Sequence, residues 1–247
     1  MAVKNQMRES LAGKGIVCAI CGEKDAVGMD HVPPKAIFPP PRPSDLITVP
    51  ACDDCNGASS PTDEEFKVGI SLLVGVETEG NRRLWTEGAL RTLESNRGLL
   101  RDIQSRIVDV DVHSQRGIYL GQERAVLVAA APIHEVVIRT MRGLYHHHYG
   151  ESLGKRARCA IQRMNPGRVN DPVLLDFIFR LPVFSIAGGA FKYRHARATE
   201  EPLVSFWLMQ FHGAETVFGY SKRASDPWEP DGPPMAGDRW SSVPASD

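Results

Sequence analysis

The residues that could do chemistry fall in one stretch. Cys18 and Cys21 form one Cys-x-x-Cys pair, Cys52 and Cys55 a second, the dipeptide Asp30-His31 lies between them, and Asn56 follows the last cysteine directly. A Cys-x-x-Cys turn presents two sulfurs from one tight knuckle, and Zn²⁺ takes four thiolates in a tetrahedron. Two knuckles make one closed site, so the spacing predicts a structural zinc held by all four cysteines. The intervening residues 22–51 are more than a common zinc ribbon needs. Something else is built into that loop, and we read it as an active site.

This pattern resembles the HNH endonucleases, the zinc-stapled ββα-metal group that includes phage junction-resolving nucleases. The residues that carry the resemblance are the two knuckles, the Asp-His between them and the Cys-Asn at the end, within roughly residues 14–68. The four-cysteine spacing with both additions is specific; each piece alone is weak. The resemblance implies a treble-clef module in which Cys18, Cys21, Cys52 and Cys55 hold structural Zn²⁺. It implies His31 as general base, and Asp30 and Asn56 as ligands of a catalytic divalent ion, Mg²⁺ or another. Two positions depart from the family. Asp45 stands where the family carries an asparagine before the second strand, and Gly57-Ala58-Ser59-Ser60 stand where a Lys or His often follows the Cys-Asn.

The elements that must position these residues can be read around them. Ala26–Met29 reads as a short strand delivering Asp30-His31, stopped by Val32-Pro33-Pro34, because proline cannot donate to a ladder. Pro39-Pro40-Pro41-Arg42-Pro43 reads as a stiff loop spanning the gap, and Leu46–Val49 as the second strand. Thr62 with Glu65 three residues on reads as a helix start. Asp63, Glu64 and Glu65 are accordingly read as capping acids before metal ligands.

Further on, the 3.6-residue period predicts a helix from Arg82 to about Arg101 and another from Pro132 to Tyr149. Ile107–Val112 alternates as a half-buried strand, which makes Asp109 and Asp111 its solvent face. His146, His147 and His148 are adjacent on a helix and so point about 100° apart, which argues against one shared ion. Residues between Gly150 and Asp171 read as a polar stretch, and Val173–Arg180 as a helix. The runs Val183–Arg194, Leu203–Phe211 and Glu215–Tyr220 read as an antiparallel meander.

The fold class expected is therefore α+β: a zinc-stapled ββα module at residues 1–76, a helical and antiparallel-sheet region at 77–224 with substrate binding as a candidate role, and a flexible tail at 225–247. Five cysteines, four of them in knuckles, suit a reducing compartment and a metal. Cys159, the fifth, is given no role. No apolar run reaches the length of a membrane span, and the first fifteen residues lack a signal-peptide core. A cytoplasmic protein that does not enter membranes is expected.

The formal net charge of −1 excludes a uniformly basic binder, yet residues 80–168 hold fifteen Lys/Arg against eight Asp/Glu. Arginine forks suit phosphate. The expected function is a metal-dependent nuclease acting on nucleic acid, DNA in the first instance, with a homodimer as one arrangement. The alternative is a non-catalytic zinc module that binds nucleic acid or protein.

Overall fold

The structure is a computed structural model that describes residues 15–57, 60–73, 78–114, 116–164, 172–226 and 241–243. The chain opens with a knuckle. Cys18 donates its N–H to the Lys24 carbonyl (2.8 Å), and Gly22 donates back to Cys18 (2.9 Å). Strand β1 (Gly28–His31) follows and pairs antiparallel with β2 (Thr48–Ala51). Pro50 sits inside β2 without breaking it. The Val32 N–H reaches the Ile47 carbonyl (3.0 Å), so His31/Thr48 and Met29/Pro50 are the non-hydrogen-bonded pairs of this ladder. The missing Pro50 N–H would have pointed away from β1, and the Pro50 carbonyl accepts from Ala19 (2.8 Å).

Helix α1 (Asp53–Gly57) starts directly after Cys52, and α2 (Ser60–Ser71) follows. Thr62 lies within α2 rather than at its cap, and its hydroxyl donates to Glu135 (3.3 Å). The single helix expected from Arg82 to Arg101 is three helices and a π-helical segment: α3 (Glu79–Arg83), the π turn Leu84–Ala89, α4 (Leu90–Ser95) and α5 (Arg97–Ser105). The break comes at Asn96, which leaves helical geometry and accepts the Leu99 N–H at its side chain (3.0 Å). A good N-cap outweighs continuation of the apolar period here.

Strands β3 (Ile107–His113) and β4 (Tyr119–Val126) form a hairpin, with Asp109 and Asp111 on its exposed face as expected. Helix α6 (Ala130–Tyr149) buries Ile133, Val136, Val137, Met141, Leu144 and Tyr145, and Gly150 ends it in the left-handed conformation (φ 69°). Then come β5 (Ala157–Arg163), α7 (Pro172–Arg180), β6 (Phe184–Ile186), β7 (Phe191–Arg197), β8 (Ser205–Phe211), β9 (Glu215–Arg223) and β10 (Ser241–Val243). The sheet order is β10-β5-β9-β8-β7-β6, every pair antiparallel.

The expected meander is present. Its first run is divided at Ala187–Gly189, where Ala187 and Gly188 take positive φ. Strand β5 falls where the sequence reads as a polar stretch, yet it lies between β9 and β10. Its Arg163 is neutralised by a fork onto Glu215 (2.8 and 2.6 Å), which lets a charged residue end a buried strand. Most of the segment expected to be a flexible tail lies outside the described residues; Ser241–Val243 pair with β5.

Mixed helix and antiparallel sheet agree with the α+β class. One cluster of buried side chains takes in Cys18, Val32 and Phe66 near the knuckles and Trp207, Met209 and Phe211 on the sheet. Fully burying each large apolar side chain contributes about 1.5–3 kcal/mol. Helix α6 lies between the β1–β2 hairpin and the sheet. A Cβ placed on Gly143 would meet the Val32 side chain at 2.4 Å, so only glycine lets the hairpin dock this close to the helix.

Candidate metal centre and hairpin site

The two knuckles converge. The sulfurs of Cys18, Cys21, Cys52 and Cys55 all lie within 4.8 Å of one another, with Cys21 and Cys52 at 3.9 Å. Zn–S bonds of about 2.3 Å in a tetrahedron put sulfurs about 3.8 Å apart. None of the four is in a disulfide. A hydrogen bond from Cys55 lowers the Cys18 thiol to about 4, and the same bond, followed by burial, pushes the Cys55 thiol up. The cysteines thus lie close enough to bind a metal ion, which fits a zinc-binding module. The first knuckle is also clamped from outside. Gly154 approaches so closely that a Cβ there would meet the Cys21 carbonyl at 2.7 Å, and the Ser152 hydroxyl donates to the Ala19 carbonyl (3.1 Å).

Between the knuckles, the pleat of β1 sends Asp30 and His31 to opposite faces of the hairpin. Asp30 points inward, with Val49 opposite it, and both are buried. One carboxylate oxygen, Oδ1, accepts the His31 backbone N–H (2.8 Å). The other, Oδ2, is buried and has no hydrogen-bond partner among the described residues; Arg139 Nε on α6 stands 3.9 Å away. Arg139 meanwhile pairs through Nη2 with Asp63 on α2. Burial raises both carboxyls, Asp63 to about 6, and Arg139 only partly opposes it. Two acids share one guanidinium, which leaves a negative surplus inside the molecule.

Asn56 belongs to the same face. Its amide donates to the Met29 carbonyl (3.2 Å), and a Cβ on Gly28, two residues before Asp30, would lie 3.7 Å from its Nδ2. Asp30 and Asn56 therefore look onto the same side of β1. Asp30 thus keeps one buried carboxylate oxygen without a hydrogen-bond partner among the described residues, and Asp63 is the second acid on Arg139.

His31 looks the other way. It is half-buried, and burial first, then Lys35 and Arg42, lower its pKa. Burial and the two cations all favour its neutral form. The motif reading singles out neither Lys35 nor Arg42. The one signal for them in the sequence is their place in the β1–β2 loop, four and eleven residues after His31. Arg139 has no sequence signal at all, because only the docking of α6 brings it to Asp30.

Other candidate residues have structural partners. Glu64 accepts from Asn96 (3.1 Å) and Glu65 pairs with Arg106 (2.7 Å). Asp45 accepts the Ala187 backbone N–H (2.9 Å), fastening the hairpin loop to the sheet. His148 shares a hydrogen bond with the Tyr193 hydroxyl (2.9 Å), so the three histidines do not turn to one ion. Part of the arginine surplus is committed internally: Arg83 pairs with Glu87 and donates to the Pro40 carbonyl, and Arg139 and Arg142 are buried. Among the described residues no helix is long and apolar enough to cross a membrane.

Comparison of the chain with protein-family models, with curated proteins and with solved structures gave no match. The functional reading therefore rests on the residues and their geometry.

Proposed function

We propose that this chain is a metal-dependent endonuclease of the HNH type that hydrolyses phosphodiester bonds of nucleic acid, DNA in the first instance. The observation that carries the reading is His31: a half-buried imidazole whose pKa is lowered by burial and then by Lys35 and Arg42, on a hairpin whose two strands both run into the cysteine cluster. A scaffold needs the cysteines and has no use for that arrangement.

In this reading Lys35 and Arg42 draw the phosphate to the outer face. His31 takes a proton from a water molecule as the water oxygen bonds to phosphorus and the P–O bond to the leaving sugar oxygen breaks. Asp30 and Asn56, on the opposite face of β1 from His31, would hold the divalent ion, so this reading requires the scissile phosphate to reach past the edge of the hairpin to gain the ion's positive charge. The zinc of the four cysteines is closed and holds the fold. The test is cleavage of single-stranded, duplex and branched DNA and RNA across Mg²⁺, Mn²⁺, Ni²⁺ and Zn²⁺. Cutting that disappears in His31→Ala is the expected result, and no cutting in any combination would defeat the proposal.

One observation favours a second reading, a non-catalytic zinc module that binds nucleic acid or protein. Arg139 already gives Asp30 a counter-charge 3.9 Å away, so the carboxylate has a purely structural partner. Overexpression toxicity relieved by His31→Ala alone would separate the two readings in favour of the nuclease.

A further inference from the structure

Beside His31 the surface opens into a cleft of about 530 Å³ between the end of the β1–β2 loop, the C-terminal turn of α6 and strands β6 and β7. That volume lies in the ordinary range for a small-molecule site. One wall is aromatic. Phe184 and Tyr193 stack at 5.1 Å between centroids and 15° between planes, and His148 packs edge-on to Phe184 at 4.9 Å. The rest of the lining is mixed: Leu46, Ile47 and Ile186 are apolar, and Asp45, Thr48 and Ser185 are short and polar. Asp45 is held in place by its bond from Ala187.

Position and charge limit what the cleft can hold. Thr48 is the cross-strand partner of His31 in a non-hydrogen-bonded pair, so the two side chains rise together on the outer face, about 5 Å apart at Cβ. Thr48, which lines the cleft, is thus its link to His31. Among the described residues no lysine or arginine lines it, and Asp45 gives it negative character, so a phosphate is disfavoured inside. The cations that act on His31, Lys35 and Arg42, belong to the preceding loop. A ligand with a phosphate at His31 and a flat, uncharged, hydrogen-bonding group in the cleft matches this division. Every nucleotide has that form, and aromatic side chains take any base by stacking.

We propose that this cleft binds one unpaired nucleobase of the strand to be cut, placing the phosphate attached to it at His31. This deepens the nuclease reading and rests on it for the identity of the strand. A base in the cleft cannot also lie in a duplex, so the substrate is single-stranded, branched or locally opened at the cut. Asp45 accepts hydrogen bonds only, so it takes a donor on the base edge, an exocyclic amino group or a ring N–H.

The test uses the full-length, zinc-loaded His31→Ala protein and single-stranded oligonucleotides with one fluorescent 2-aminopurine. Stacking in the cleft quenches the fluorescence. Replacing that one base by an abasic site should weaken binding about tenfold or more, the scale of one stacked base. Phe184→Ala should remove both the quench and the difference. Should Phe184→Ala fail to fold, Thr48→Trp, at an exposed position, fills the cleft and should give the same loss. Equal affinity for intact and abasic strands, or an unchanged quench in a folded Phe184→Ala or Thr48→Trp protein, overturns the proposal. A parent protein that cuts nucleic acid yet never quenches sinks the base site alone; quenching without cutting under any metal sinks the nuclease reading and leaves the base site standing.

Discussion

Arg139, near the middle of α6, stands between Asp30 on the hairpin and Asp63 on α2, bonded to the second and 3.9 Å from the first. All three are largely buried, and Arg139 Nε and Nη1 have no hydrogen-bond partner among the described residues. The cluster fastens three elements at the point where a catalytic ion is proposed, so the residue that stabilises Asp30 also competes with any cation there.

Arg139→Gln removes the guanidinium and leaves two buried carboxylates uncompensated. We expect a loss of about 3 kcal/mol, typical of breaking a buried pair from one side. If Asp30 binds a divalent ion, Mg²⁺ or Mn²⁺ should restore more stability to the variant than to the parent. Thermal melts with and without metal give the answer; identical metal responses would argue that Asp30 serves the fold alone.

Changing His31 to alanine should leave zinc content, fold and substrate binding in place and cost at least about a hundredfold in cleavage. Asp30→Ala should instead weaken the response to the catalytic ion, so that part of its loss returns at high metal concentration. Parent-rate cleavage by His31→Ala under saturating metal would hand the site to the scaffold reading.

The Lys35→Ala, Arg42→Ala double variant should bind nucleic acid less tightly and lower the slope of log K against log salt by about two, one for each phosphate that is no longer neutralised. Arg82→Ala with Arg83→Ala provides the comparison. Arg83 already pairs with Glu87 and Pro40, so this second pair should change the slope less. Salt titrations of both double variants decide which surface meets the backbone.

Removal of the knuckle metal should unfold the hairpin. Cys52→Ser or a strong chelator is expected to lose the N-terminal module, because metal binding at such sites is largely folding free energy. Metal analysis of the parent should find about one zinc per chain. A chelated, zinc-free protein with intact hairpin structure would refute the closed-site reading.

Burial lowers both His148 and His195 to about 4. His147, Tyr149, Tyr193, Phe184 and Trp207 surround them, with Arg197 over the Tyr149 ring. Unfolded, each histidine titrates near pH 6.5, so the unfolded chain binds more protons between that value and about pH 4. Their stabilising contribution is present above about pH 6.5 and is lost as pH falls through this window. Urea melts from about pH 7 to about pH 5 should show the decline, and His195→Gln should flatten it relative to the parent.

The sequence alone determined what depends on local spacing. The Cys-x-x-Cys pairs put two sulfurs in one turn whatever surrounds them, and the alternation of Ile107–Val112 could only be a strand with Asp109 and Asp111 outward. The apolar stripe of α6 was legible for the same reason. The break at Asn96 is hidden from periodicity because a cap competes with it, and β5 is hidden because the partner that tolerates Arg163, Glu215, lies 52 residues further on. The candidate site divides along the same line. Its residue types were legible as Asp30, His31 and Asn56, but their surroundings were not. Only the docking of α6 through Gly143 brought Arg139 to Asp30, and only the packing of the hairpin loop against β6 and β7 opened a cleft beside His31. Such pairings, Asp30 with Arg139 and Asp45 with Ala187, join residues far apart in the chain. Their energies come from burial and charge in the folded state, which no short-range pattern encodes.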